Sequence, residues 1–301
     1  MRIGISLTSS LSTPSGDPRE GARWMIERAR AAERARLDSL SLGDHHTMAS
    51  PYYQNTPMLG RLLAEWGDRP VGCLFLLPLW NPVLVAEHVG TLASLTDAPF
   101  IVQTGIGSGQ AQFAAMGASM QTRGRDLEES VAVIRALLAG EPVDPASVAG
   151  EPSIGLRPHQ NVEWWIGAGS APAALERAGR IGDAWYGGPN VTLETAAEHL
   201  AIYRESCAAS GRVPRAIMRR DVIVLGDGAA AEKLGAGIVA DGYRGMGLDQ
   251  VVVGSPASVA EQFAAWRDVG FDDVIVRCMA VSQRDAVETI ENLAEVKALL
   301  A

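Results

Sequence analysis

Short apolar runs alternate with longer stretches of helical periodicity from one end of the chain to the other. The apolar runs read as strands at Arg2 to Leu7, Ser39 to Gly43, Val71 to Leu77, Phe100 to Ile106, Trp164 to Ala168, Asp183 to Tyr186, Ile217 to Leu225 and Val274 to Arg277. Helical patterns fill the intervals at Glu20 to Arg36, Pro82 to Leu95, Arg125 to Ala139, Ala171 to Ala178, Leu193 to Ser210 and Ala286 to Leu300. Another helix opens at Ser255-Pro256 and ends near Val269, and a short one lies near Met58 to Trp66. Strands alternating with helices predict parallel βαβ units. Val71 to Leu77 is apolar on both of its faces, as expected where a sheet is covered from two sides. Asn81 and Pro82 supply an N-cap and a first helical residue to the helix that follows.

Two segments fall outside this rhythm. Residues 140–160 hold four prolines and three glycines and read as a surface excursion. Gly226 to Leu248 is glycine-rich and has no clear period. Eight strands with helices between them fit a (β/α)8 TIM barrel with insertions, one domain over residues 1–301, better than an open doubly wound sheet.

Composition narrows the partners. The net charge of −9 argues against nucleic acid or an anionic membrane, both of which need clustered positive charge. The one basic cluster, Arg215 to Arg220, is broken by Ala, Ile and Met. Cys73, Cys207 and Cys278 are odd in number and far apart, so a reducing cytoplasm is the expected setting. The N-terminus lacks the layout of a signal peptide. The most apolar stretch, Val71 to Val85, contains two prolines and is too short to span a bilayer. A small-molecule substrate is the expectation that remains.

In a barrel, reactive groups lie at the carboxyl ends of strands. After the second strand comes Gly43-Asp44-His45-His46. A histidine there can move a proton near neutral pH. The other histidines, His88, His159 and His199, show no ligand spacing, so no metal is expected. A structural role tying strand to loop suits one of the pair. After the fourth strand comes Thr104-Gly105-Ile106-Gly107-Ser108-Gly109, and after the fifth Gly167-Ala168-Gly169-Ser170-Ala171-Pro172 opens into a helix. Glycine turns and a helix N-terminus suit an anion. Each is a weak signal alone and fails the G-x-G-x-x-G pattern; two in adjacent βα units read as one phosphate cradle. Trp80 could wall a planar ligand, and Tyr52, Tyr53, Trp80 and Met48 give the expected pocket mouth few charges. Glu128-Glu129 is expected on the exposed side of its helix. Lys233 and Lys297 are the only lysines and neither ends a strand, which disfavours a Schiff base.

The ordered series of motifs resembles the bacterial luciferase-like monooxygenase family. It comprises Leu37 to His46, Leu77-Pro78-Leu79-Trp80-Asn81-Pro82 through Glu87, Gly105-Ile106-Gly107, and Arg123-Gly124-Arg125 through Ser130. It continues with Ile166 to Ser170, Ala178 to Trp185 and Val253-Gly254-Ser255-Pro256. The resemblance implies a luciferase-like barrel with an insertion after the seventh strand, commonly a homodimer, using reduced FMN or the deazaflavin F420. It implies cofactor contacts at Asp44, Gly72, Cys73, Ile106, Gly107, Ser108, Gly169, Ser170 and Ala171. A non-prolyl cis bond is expected at Gly72–Cys73, and His45 beside the reactive ring carbon. No Lys or Arg occurs from Val71 through Thr122 to meet a phosphate dianion, which favours F420, with FMN the alternative. Ser108 stands where some F420-dependent sugar-phosphate dehydrogenases carry an acidic residue, which speaks against a sugar-phosphate substrate. The expected activity is hydride transfer with His45 handling the proton. The alternatives are an FMNH2-dependent monooxygenase that activates O2, and a cofactor carrier without turnover.

Overall fold

The computed structural model describes residues 1–144, 146–279 and 281–301. The predicted excursion over 140–160 therefore includes one residue, Pro145, outside the described set. Eight parallel strands close a barrel: β1 (Arg2–Leu7), β2 (Leu40–Leu42), β3 (Val71–Leu76), β4 (Phe100–Gly105), β5 (Val162–Ala168), β6 (Ala184–Gly187), β7 (Ala216–Val224) and β9 (Asp273–Cys278), with β9 returning to β1. The expected (β/α)8 architecture is present.

A ninth strand, β8 (Val251–Gly254), is an addition the sequence pattern missed. It has a geometric cause. β7 has nine residues and β6 only four, so β6 pairs with Ala216 to Met218 and then ends. β8 takes over the same edge at Asp221 to Val224. Backbone groups there would otherwise lack partners.

Ten α-helices accompany the strands among the described residues: α1 (Pro18–Arg34), α2 (Asn55–Leu62), α3 (Pro82–Ala93), α4 (Gln110–Ala115), α5 (Arg123–Ala139), α6 (Pro172–Ile181), α7 (Leu193–Ala209), α8 (Gly228–Ala240), α9 (Pro256–Val269) and α10 (Gln283–Leu300). Proline opens α1, α3, α6 and α9, and the Asn81 side chain accepts from Val83 N–H at 2.9 Å. Residues 226–248, without clear period in sequence, contain α8, which Asp227 caps through Ala230 N–H. Gly235 lets α8 lie on β8, since a Cβ there would come within 2.7 Å of Val253. Glu128 departs from its expected solvated setting. It is half-buried and binds Arg177 and Arg180, joining α5 to α6. No helix among the described residues is long and apolar enough to cross a membrane.

Every described peptide bond is trans, Gly72–Cys73 included, which corrects the expected cis bond. Gly72 sits in register between Ser41 and Ile101, and an extended trans strand satisfies both ladders. The glycine has another reason. A Cβ at Gly72 would stand 2.0 Å from the Ile101 carbonyl oxygen, which is backbone and cannot yield. Gly72→Ala should therefore cost roughly 1–3 kcal/mol, as overpacked interiors do. Urea unfolding reads this, and an unchanged midpoint would contradict the close approach.

The barrel interior is layered. At its amino end, Asp273 accepts from Arg2 at 2.8 Å and from Arg215 at 2.7 Å, and Arg215 also reaches Glu163 at 2.7 Å. Above this plug lie Ile101, Trp165, Ala184, Ile217 and Ile275, an apolar layer contributed by five strands. Above that layer the barrel opens.

Candidate active site

The open end holds a cavity of about 450 Å³ whose lining includes His45, Leu74, Gln103, Tyr186, Arg219 and Arg277. The segment leaving β2 supplies Asp44 and His45 to its lining. Asp44 is buried, and its Oδ2 accepts from Leu76 N–H at 2.8 Å and from the Trp80 indole N–H at 2.7 Å. One carboxylate thus ties the exit of β2 to the exit of β3. His46 lies 3.3 Å from the other oxygen of Asp44, without hydrogen-bond alignment, and packs edge-on against Trp80. Of the histidine pair it is the one packed on Trp80 and absent from the cavity lining.

His45 is the other, and it faces the cavity. Gln112, on α4, fixes its ring. The Gln112 amide N–H donates to the Ser108 carbonyl at 2.9 Å, so the amide oxygen must face His46 N–H, at 2.8 Å, and His45 Nδ1. The same His46 N–H lies 3.1 Å from His45 Nδ1, so Nδ1 is the ring nitrogen engaged by this network. Nε2 has no protein hydrogen-bond partner among the described residues. Gln112 was not legible as a site residue, because α4 is six residues long and carries no helical period.

Of the four residues expected at the mouth, Met48 and Tyr52 line the cavity. Trp80 is engaged with Asp44, and the Tyr53 hydroxyl donates to the Pro18 carbonyl. Burial pushes both Tyr52 and Tyr186 up to about 12, so each hydroxyl keeps its proton at neutral pH. Buried Gln103 leaves its amide Nε2 without a partner, a donor directed at nothing in the protein.

The mouth is not poor in charge, as the sequence led one to expect. Arg219 from β7, Arg277 from β9 and Arg244 from the segment before β8 all line it. Asp221, fully buried, accepts from Arg219 at 2.6 Å and Tyr243 at 2.8 Å, and Arg244 lies 3.6 Å away. Burial pushes the Asp221 carboxyl up, but Arg219, Arg277 and Arg244 outweigh it and hold it below the ordinary carboxylate range. The signal existed in the sequence: with a period of two, Ile217, Arg219 and Asp221 share the inward face of one strand.

The two glycine turns are neighbours, because β4 and β5 pair directly through Thr104 and Ile166. Gly107 and Gly109 adopt φ of 68° and 89°, which glycine alone adopts freely. Ser108, Gly169, Ser170 and Ala171 are exposed, Ile106 is half-buried against the core, and nothing lies within 4 Å of a Cβ built at Gly169. The paired turns are therefore open, and α6 starts directly behind the second. Arg123 donates to the Gly107 carbonyl at 3.0 Å, which brings a guanidinium to a turn whose preceding sequence holds none. Neither Gly72 nor Cys73 is in the lining of the cavity. The Cys73 thiol is fully buried in the helix-facing core, and burial raises its pKa well above the ordinary thiol value.

A closed parallel barrel whose open end gathers a positioned histidine, orphaned donors and two open glycine turns defines an α/β barrel with a ligand-binding mouth. The luciferase-like monooxygenase family profile matches residues 1–244, and the chain belongs to that family. The F420-dependent glucose-6-phosphate dehydrogenase of Kribbella flavida is 29% identical over 199 residues, which cover 62% of this chain and 57% of the relative. The chain thus matches little more than half the length of that protein. Monooxygenase RslO1 from Streptomyces bottropensis superposes with a TM-score of 0.83 at 18% identity, covering 98% of both chains. An F420-dependent secondary alcohol dehydrogenase in complex with an F420-acetone adduct gives 0.79 at 17% identity, covering 100% of both chains. At these identities the structural likeness speaks for the fold.

Proposed function

We propose that this protein is an oxidoreductase that uses F420 to move hydride to or from a small organic substrate. The observation that carries this reading is the His45–Gln112 pair: an imidazole held at Nδ1 that lines a cavity, with Gln112 also bound to the first of two neighbouring glycine turns. The donors present suit such a cofactor. Exposed turns at Gly107-Ser108 and Gly169-Ser170-Ala171 offer N–H and hydroxyl groups for a phosphodiester, and the orphaned Gln103 amide suits a ring carbonyl. When bound, F420 supplies the hydride chemistry. The protein's part is to orient the reactants, with His45 Nε2 taking the proton from a substrate hydroxyl, or returning it. The dehydrogenase relative of Kribbella flavida supports this reading. A homodimer and a cytoplasmic setting complete it, and sedimentation of the purified protein tests the first.

Arg123 at the Gly107 turn favours a second reading, because a guanidinium there suits the dianionic phosphate of FMN. Under that reading the protein is an FMNH2-dependent monooxygenase, and turnover consumes O2. Fluorescence titration of the purified protein with F420 and with FMN separates the two. Micromolar binding of F420 in preference to FMN is expected, and binding of neither would remove the redox assignment.

A further inference from the structure

The cavity at the barrel mouth has a neighbour. A second cavity of about 400 Å³ lies between the β1 exit, α1 and the β9 exit, and the two share Ser10, Arg244 and Arg277. Arg28 of α1 lines the second cavity and is only 2% exposed. Its side-chain partner is neutral: Nε donates to Gln283 at 2.8 Å. Among the described residues no carboxylate forms an ion pair with Arg28 or Arg277. Nearby Glu27 is exposed and taken up by Gln283. Asp44 is bound to Leu76 and Trp80. Four guanidiniums, Arg28, Arg219, Arg244 and Arg277, therefore surround the paired cavities, and Asp221 is the carboxylate that touches any of them.

Buried positive charge without a partner is unfavourable until an anion meets it. Guanidinium forks match the geometry of oxyanions. The backbone points the same way. Arg244 holds φ 52° and ψ 17°, a conformation few residues with a side chain adopt, between Gly242 and Gly245 with φ of 87° and 66°. Strain of this kind persists where the surroundings impose it and is concentrated at functional sites.

Barrel order separates this anion site from the glycine cradle. Around the ring β1 and β9 stand opposite β5 and β4, and β2, whose exit leads to His45, lies between the two sides. We propose that the substrate carries an oxyanion, a carboxylate, phosphate or sulfate group, held between Arg244 and Arg277 where the cavities join, with Arg28 behind it. That this anion belongs to a substrate rests on the hydride-transfer reading above. The anion site itself needs no cofactor.

The test uses the cofactor-free protein. Thermal unfolding is followed while sodium sulfate, sodium phosphate or sodium acetate is titrated against sodium chloride of equal ionic strength. At least one oxyanion should raise Tm with a saturating dependence that chloride lacks. Arg277→Gln and Arg28→Gln should each weaken that apparent affinity roughly tenfold to a hundredfold, as loss of a charge-assisted hydrogen bond does. Neither variant breaks a native ion pair, so both should fold. Titration with F420 should give the same affinity for the variants as for the parent protein. Oxyanions acting no differently from chloride would overturn the proposal, and so would an undiminished effect in both variants. A loss of F420 affinity as large as the loss of anion affinity would give the cluster to the cofactor and overturn it too. Should neither F420 nor FMN bind while the sulfate or phosphate effect and its loss in the variants hold, the redox reading fails and the anion site stands.

Discussion

His45→Ala should lower F420-linked turnover by about 10²–10⁴-fold, the range that a positioned acid or base contributes, while F420 affinity should change little. The expectation follows from geometry. Nδ1 is committed to Gln112, so Nε2 is the nitrogen that can exchange a proton with a ligand in the cavity. Gln112 should act through the ring. Gln112→Met removes the acceptor at Nδ1, so it should lower kcat, leave cofactor affinity unchanged and shift the limb of the pH–rate profile that belongs to the imidazole. Gln112→Glu keeps an acceptor there and should restore part of the rate. Steady-state kinetics with F420 titration checks all three variants. A His45→Ala enzyme with parental kcat would remove His45 from the chemistry.

The second large effect is on stability. Asp273 closes the amino end of the barrel, is 4% exposed and holds Arg2 and Arg215 together. Burial pushes its carboxyl up, but the hydrogen bonds and charges of Arg2 and Arg215 outweigh burial and leave it below the ordinary carboxylate range. Asp273→Asn leaves Arg215 leaning on Glu163 alone and Arg2 without its partner. Breaking a buried pair costs about 3–5 kcal/mol. The half-exposed Arg2 side chain places this case at the lower end, about 3 kcal/mol. The sign with pH follows from the lowered pKa. The native state binds this proton less readily than the unfolded chain, so the stabilisation is complete above the unfolded value near 3.9 and is lost as pH falls through the native one. Urea unfolding should show parent and variant far apart at pH 7 and converging below about pH 4. A constant gap across that range would assign the effect to shape rather than charge.

Much of the architecture was legible because its cause is local. Parallel strands buried on both faces read as continuous apolar runs, and Asn81-Pro82 and Ser255-Pro256 mark helix starts through the chemistry of a cap and of a residue lacking an N–H. The βα rhythm located all eight barrel strands. β8 was missed because its existence depends on β7 outlasting β6, a relation between elements distant in sequence. α8 was hidden by glycines whose reason is a neighbour, as Gly235 against Val253 shows.

At the site the same division holds. The histidine, the aspartate beside it and the two glycine turns were visible because strand ends are where a barrel exposes its chain. Strand exits set their place, and the ring order of β4 and β5 makes the turns adjacent. The anchoring of the His45 ring was not visible, since Gln112 lies 67 residues away in sequence. Nor was the positive charge of the mouth. Arg28, Arg219, Arg244 and Arg277 come from a helix, two strands and an inserted segment, and only the closed ring brings β1 beside β9. Sequence alone determined the barrel, the histidine at the exit of β2 and the paired glycine turns, because periodicity and backbone freedom act within a few residues. Tertiary structure decided which groups share a cavity and which charges lack a partner, because electric fields and packing act through space.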